Sequence, residues 1–167
     1  MRQPLVGILL LLLSSSLSAQ VRVDLGIAAG RQSYEQHDLG PRFLISPEVL
    51  LSRGPLALYY ALDYAELSSA SIRRGAMYAS HLGLAYCWPI GRNLAVRAGA
   101  GPSYVTVEAL GGETAWNAQL ELALRSGRLE WFAKLRQYDY SLSEFRTASA
   151  SPKGPALLAG LRVGLRK

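Results

Sequence analysis

The sequence predicts an all-β fold: an eight-stranded antiparallel up-and-down transmembrane β-barrel that follows an N-terminal signal peptide. Three observations predict it. The apolar N-terminal run is too short to span a membrane, eight later segments alternate between apolar and polar residues, and glycine-containing turns separate several of these segments. A length of 167 residues suits a single domain.

Residues Met1 to Ala19 form the predicted signal peptide, and residues 20–167 form the predicted barrel domain. Arg2 precedes an apolar run from Leu5 to Leu13, after which serines lead to Ala19. This run is about half of the roughly 18 residues that a spanning helix needs. Charges interrupt every later apolar stretch, so any membrane crossing must use strands.

The composition excludes several other kinds of protein. The single cysteine, Cys87, rules out an intramolecular disulfide, and two histidines, His37 and His81, are too few for a zinc cluster with cysteine. The chain has 18 Lys and Arg against 12 Asp and Glu, but the basic residues are scattered singly. We therefore expect no cofactor, no metal and no nucleic-acid partner.

The mature chain alternates with a period of two from its first segment to its last. Val21, Val23 and Leu25 share one face near the start, and Leu161, Val163 and Leu165 share one face near the end. A helix would mix these residues with their polar neighbours. The predicted strands cover residues 21–30, 42–52, 56–65, 76–88, 93–106, 116–125, 129–136 and 157–166.

The predicted connections fall into two classes. Short glycine-containing turns at 53–55, 89–92 and 126–128 are typical of hairpins. The other connections, at 30–41, 66–75, 107–114 and 139–154, are longer and polar or rich in glycine and serine. Short and long connections should therefore alternate, with one end of the barrel trimmed and the other elaborated.

The polar face of the strands indicates an enclosed interior. It combines glycine and alanine with isolated charges of both signs, and an eight-stranded barrel is just wide enough for side chains to fill. Charges removed from water must be paired, whereas surface ion pairs, the alternative interpretation, would contribute little. The predicted lumen charge network consists of Arg22, Asp24, Glu48, Asp63, Arg97, Glu121, Lys134 and Arg162.

Aromatic residues mark both ends of the apolar face. Strands of about ten residues, tilted by about 40°, rise roughly 25 Å, the height of the apolar band of a membrane barrel. Aromatic residues are also common in strands generally, but their place at strand ends favours interfacial girdles. The predicted girdle residues are Trp88 and Trp131 near the short turns, and Tyr64, Tyr78, Tyr104 and Trp116 near the long loops.

Two prolines fall inside predicted strands. Pro47 and Pro102 each lack the backbone N–H that a sheet ladder uses, and a closed barrel has no free edge. We therefore expect a local bulge at each proline, with Pro102 near the rim that carries the long loops.

The mature chain resembles the small eight-stranded outer-membrane barrels, such as outer-membrane proteins A and X and the opacity proteins. The resemblance lies in the export signal, the eight amphipathic strands, the short turns and the long loops. Residues Gly160 to Leu165 look like the C-terminal signal read by the outer-membrane assembly machinery, although that signal usually ends in an aromatic residue and this chain ends Leu165-Arg166-Lys167.

The resemblance implies a non-enzymatic protein of the bacterial outer membrane, exported through a cleaved signal peptide. Its partners would be outer-membrane lipid, the assembly machinery, and an extracellular ligand at loops 30–41 and 139–154. The function would be surface interaction or envelope structure, with a lumen that its own side chains fill.

Two other function classes remain open on the sequence alone. A secreted soluble barrel that binds a hydrophobic ligand would have the two faces reversed. A lipid-modifying enzyme would need a histidine beside a serine, as in Ser80-His81 or in the loop that carries Ser33, Glu35 and His37. Alternation places Ser80 and His81 on opposite faces, which counts against the first of these pairs.

Overall fold

The computed structural model describes residues 20–33, 42–67, 75–108, 111–139 and 154–165. The predicted signal peptide, residues 1–19, lies outside these ranges. Eight strands are present: β1 Arg22–Gln32, β2 Arg42–Arg53, β3 Leu56–Leu67, β4 Gly75–Pro89, β5 Leu94–Val107, β6 Gly111–Ser126, β7 Leu129–Asp139 and β8 Pro155–Gly164.

The strands form one closed antiparallel barrel in chain order, and β8 pairs with β1 to complete it. The predicted all-β, eight-stranded antiparallel up-and-down barrel is confirmed. Tight connections at 54–55, 90–93 and 127–128 define what we call the turn end, and the opposite end is the loop end. Within the described ranges, no helix is long and apolar enough to cross a membrane.

The predicted long connection at 107–114 is wrong. β5 continues to Val107 and β6 begins at Gly111, and these two residues are register partners. Gly111 has a φ of 89°, a backbone conformation that glycine adopts at no steric cost. The early start of β6 could not be predicted from the period of two, because Gly111 and Gly112 carry no apolar side chain.

The predicted bulges at Pro47 and Pro102 are also wrong. Pro47 lies opposite Ile27 of β1 in an unbroken ladder, and Pro102 lies opposite Trp116 of β6. The register between β2 and β3 is the same on both sides of Pro47, and that between β4 and β5 is the same on both sides of Pro102. In an antiparallel sheet each residue directs its N–H toward only one neighbouring strand, so each proline forgoes one ladder bond without shifting the register.

The two faces of the sheet are distributed as in a membrane barrel. Large apolar side chains cover the outside, where Leu84 is 66% exposed and Leu157 65%. Arg136 and Arg162 are instead buried inside the barrel. The soluble alternative required the apolar face to line a cavity, and the structure places that face outward.

Candidate functional site

Ion pairs fill the lumen on the side of the turn end. We call this group the turn-side layer, and it comprises Glu48, Arg97, Glu121, Glu130, Lys134 and Arg162. Arg162 reaches carboxylates on three strands: Glu48 of β2, Glu121 of β6 and Glu130 of β7. Arg97 bonds Glu121 at 2.6 Å and Glu130 at 2.7 Å, and Lys134 pairs with Glu48.

Small and aromatic residues shape the space around these charges. A Cβ atom on Gly26 would lie 2.6 Å from Cγ of Arg162, so the glycine leaves room for the arginine stem. The Arg162 guanidinium stacks over the ring of Phe132, with Cζ 3.8 Å from the ring centroid. Phe132 in turn packs against Gly160. Glycine and aromatic residues therefore pack around the ion pairs and leave room for their side chains.

The other predicted network residues occupy two places. Arg22 and Asp24 bond each other at 2.6 Å near the turn end of β1, where Arg22 lies beside Gly164. Asp63 lies farther toward the loop end, in a separate cluster with Arg136 and His81. The structure therefore brings five of the eight predicted residues into direct contact in the turn-side layer: Glu48, Arg97, Glu121, Lys134 and Arg162.

Two charged residues of the lumen, Glu130 and Arg136, are not among the predicted network residues. Glu130 bonds Arg97, Arg125 and Arg162, and Arg136 bonds Asp63 at 2.6 Å. Both residues lie on the same face of β7 as Lys134, because all three have even residue numbers in one regular strand. The alternation that identified Lys134 could therefore have identified them.

A hydrogen-bonded cluster occupies the middle of the lumen. We call it the middle layer, and it comprises Tyr59, Asp63, His81, Ser103, Asn117 and Arg136. His81 Nδ1 lies 2.7 Å from Ser103 Oγ, and its Nε2 lies 3.1 Å from Asp63 Oδ2. The Asn117 amide donates to Ser103 Oγ at 2.8 Å, and Tyr59 donates to Oδ1 of Asn117 at 2.6 Å.

These contacts fix the direction of the hydrogen bonds. The Asp63 carboxylate, paired with Arg136, can only accept, so Nε2 of His81 carries the hydrogen that it donates to Asp63. Nδ1 of the neutral imidazole is then an acceptor, and the Ser103 hydroxyl donates to it while accepting from the Asn117 amide. Asp, His and Ser in this order are also the parts of a nucleophilic triad. Here Asp63 is 1% exposed, His81 0% and Ser103 4%, so all three side chains are buried inside the barrel.

Ser80 and His81 do not form a site, as the alternation of the strand predicts. His81 points into the lumen, whereas Ser80 lies on the other face and contacts the Tyr104 carbonyl at 3.5 Å. Of the loop candidates, Glu35 and His37 lie outside the described residues. No group of three metal-binding His, Cys, Asp or Glu side chains occurs in the described part of the chain.

Apolar side chains fill the lumen toward the loop end. We call them the loop-side layer, and its members are Leu44, Ala65, Met77, Val105, Val107 and Leu158, all nearly fully buried. Each lies within four residues of the loop end of its strand. The predicted ligand loops that begin above this layer, 30–41 and 139–154, lie mostly outside the described residues.

The predicted girdle aromatics all lie on the outer face. Trp88 and Trp131 are about half exposed near the turn end, as is Trp116 nearer the loop end. Tyr64 and Tyr78 are register partners whose ring centroids lie 5.3 Å apart, and Tyr104 is also exposed. Their role as girdles at the two membrane interfaces stays a prediction.

Comparisons with known proteins identify the fold. No protein-family model matches the chain, and neither does any curated protein sequence. Among solved structures, the chain is similar to a de novo designed protein named TMB2.3, with a TM-score of 0.53, 13% identity, and coverage of 90% of this chain and 99% of that one.

Two natural barrels are also similar. Neisserial surface protein A has a TM-score of 0.52 and 15% identity, with coverage of 86% of this chain and 96% of that one. The N-terminal β-barrel domain of OprF from Pseudomonas aeruginosa has a TM-score of 0.50 and 18% identity, with coverage of 87% and 98%. The chain therefore has the fold of the small eight-stranded outer-membrane barrels.

Proposed function

We propose that this chain is an integral protein of the bacterial outer membrane, exported by the segment 1–19 and without enzymatic activity. One observation carries the proposal: the charges are buried in the barrel, and the large apolar side chains face outward. In water this arrangement would expose a continuous apolar band, whereas in a bilayer the band contacts lipid. The barrel also suits a bilayer because every strand has two hydrogen-bonded neighbours.

In this proposal the side chains inside the lumen close the barrel to the passage of ions and solutes. Three layers of side chains occupy it, and eight strands leave an interior that side chains can fill. Arg162 alone joins β8 to three other strands across the lumen. The barrel is thereby a rigid support for its loops rather than a conducting pore.

The partners follow from this placement. Outer-membrane lipid contacts the outer face, and the assembly machinery reads the segment from Gly160 to Leu165, which includes the end of β8. Loops 30–41 and 139–154 carry the surface contacts with an extracellular ligand or the envelope. The fold supports the loop function, because the strand ends that flank both loops lie at the loop end of one closed barrel.

Membrane fractionation combined with gel electrophoresis of boiled and unboiled samples tests the proposal. We expect recovery in the outer-membrane fraction and a heat-dependent mobility shift, because a closed barrel resists detergent until it is heated. Recovery as a soluble periplasmic or secreted protein without that shift would overturn it. Planar-bilayer recordings should show no steady open conductance.

A further inference from the structure

Exposed charge is distributed unequally between the two ends of the barrel. Arg53, Arg92 and Arg128 are exposed at the turn end, one at each of the three short turns. The exposed acids among the described side chains, Glu66 and Glu108, lie at the loop end. The fold thus gathers into one basic rim arginines that are scattered along the sequence.

A polar recess opens between two of these turns. It has a volume of about 160 Å³ and is lined by Arg92, Asn93 and Arg125, with Arg97 and Glu130 at its base. The Glu130 carboxylate already bonds Arg97, Arg125 and Arg162. Arg125 gives Nη2 to Glu130, while its buried Nε has no hydrogen-bond partner among the described residues. The exposed guanidinium of Arg92 and the partly exposed one of Arg125 are the donors that the recess presents to an anion.

An apolar groove on the outer face begins at the same place. Leu94 lines both the recess and this groove, which has a volume of about 680 Å³. Leu124 and Trp131 border the groove, and three small residues, Ala133, Ala159 and Gly160, also line it. The three small residues lie on β7 and β8, where larger side chains cover the neighbouring positions Trp131, Leu135 and Leu157.

We propose that the turn end binds one phospholipid with an anionic headgroup. Its phosphate contacts Arg92 and Arg125 at the recess, and one acyl chain passes Leu94 and lies in the groove above Ala133. The inference rests on the proposed membrane placement. A soluble polyanion would contact the arginines alone. The apolar groove, which shares Leu94 with the recess, instead suits the acyl chain of a phospholipid.

Tryptophan quenching by brominated lipid tests the site directly. The chain has three tryptophans, so Trp88→Phe with Trp116→Phe leaves Trp131 as the only reporter, at the border of the groove. The full barrel is placed in phosphatidylcholine vesicles that contain a small fraction of acyl-brominated phosphatidylglycerol or acyl-brominated phosphatidylcholine. We expect the anionic lipid to quench Trp131 at a several-fold lower fraction, and to show no such preference for Trp116 in the reciprocal variant.

Substitutions separate the headgroup contact from the chain contact. An arginine at an anionic lipid surface contributes a factor of about five in affinity, so Arg92→Gln should reduce the preference by about fivefold. Arg31→Gln, the same charge change on an exposed arginine of the loop end, should leave it unchanged. Ala133→Phe should fill the groove and reduce quenching, whereas Ala118→Phe, on the outer face away from the groove, should not.

The outcomes separate this inference from the proposed function. Equal quenching by the two lipids, or a preference that survives Arg92→Gln, overturns the phospholipid site while the barrel remains in the membrane. Loss of the preference upon addition of inorganic phosphate assigns the recess to free phosphate and also overturns it. If no brominated lipid quenches Trp131 and boiling changes no mobility, the membrane placement itself fails.

Discussion

The turn-side and loop-side layers of the lumen are built from different chemistry inside one continuous sheet. The turn-side layer is held by ion pairs between strands far apart in sequence, such as Lys134 with Glu48. The loop-side layer is held by apolar contacts among residues such as Leu44, Met77 and Leu158. A charge needs a particular partner, whereas an apolar side chain needs only adequate volume. We therefore expect substitutions in the turn-side layer to destabilise the barrel more than substitutions in the loop-side layer.

The largest expected effect comes from removing the central arginine of the turn-side layer. Arg162→Leu leaves Glu48, Glu121 and Glu130 without one of their partners and should lower the free energy of unfolding by about 3–5 kcal/mol. Urea unfolding of the barrel in lipid vesicles measures it. Arg31→Leu, on the outer face, is the matched control, and an equal effect of the two changes would contradict the buried network.

A cavity in the loop-side layer should have a somewhat smaller effect. Leu158→Ala removes a fully buried side chain and should cost about 3 kcal/mol, because the surrounding strands cannot collapse into the space. Leu158→Met keeps the volume and should cost less than about 1.5 kcal/mol. The same unfolding assay compares them. If the methionine variant is as unstable as the alanine variant, this layer is no more tolerant than the turn-side layer.

The middle layer should respond to the loss of one hydroxyl group. Ser103→Ala leaves His81 Nδ1 and the Asn117 amide without that partner and should cost about 1–3 kcal/mol. Ser80→Ala removes a hydroxyl from the opposite face of the sheet and serves as the control. Comparable losses in the two variants would show that the buried cluster contributes nothing specific.

The smallest expected effect lies outside the lumen. Tyr64 and Tyr78 form a tilted aromatic pair on the outer face, and such pairs contribute about 0.5–1.5 kcal/mol beyond the area they bury. A double-mutant cycle with Tyr64→Ala and Tyr78→Ala measures this coupling in the vesicle assay. If this coupling energy were as large as the loss caused by Arg162→Leu, side chains on the outer face would stabilise the barrel as much as the lumen network does.

The period of two was sufficient to predict eight strands and the face to which each residue belongs. The strand from Arg42 to Arg53 shows why, since its inward residues Leu44, Ser46 and Glu48 alternate regularly with outward ones. The predicted ends of strands were less accurate, because Gly111 and Gly112 extend a ladder without an apolar side chain. The prolines were misjudged because the direction of each missing N–H depends on register.

Partners across the lumen could not be predicted from alternation. Glu48 and Arg162 are separated by 114 residues, and their contact depends on how the strands stagger around the barrel. The same holds for His81, for which the sequence shows only the chain neighbour Ser80. Its actual partners, Asp63 and Ser103, come from the two adjacent strands, where the register places them opposite or close to it.

The pairing of β1 with β8 has a consequence for assembly. Every other strand pairs with its immediate neighbours in the chain, so seven hairpins form locally, whereas nine residue pairs join the two chain ends. Until β1 and β8 pair, both strands expose unpaired backbone N–H and C=O groups to lipid, and each such group costs several kcal/mol. A partly open intermediate is therefore strongly disfavoured, and in the bilayer the barrel should close and open as a single cooperative unit.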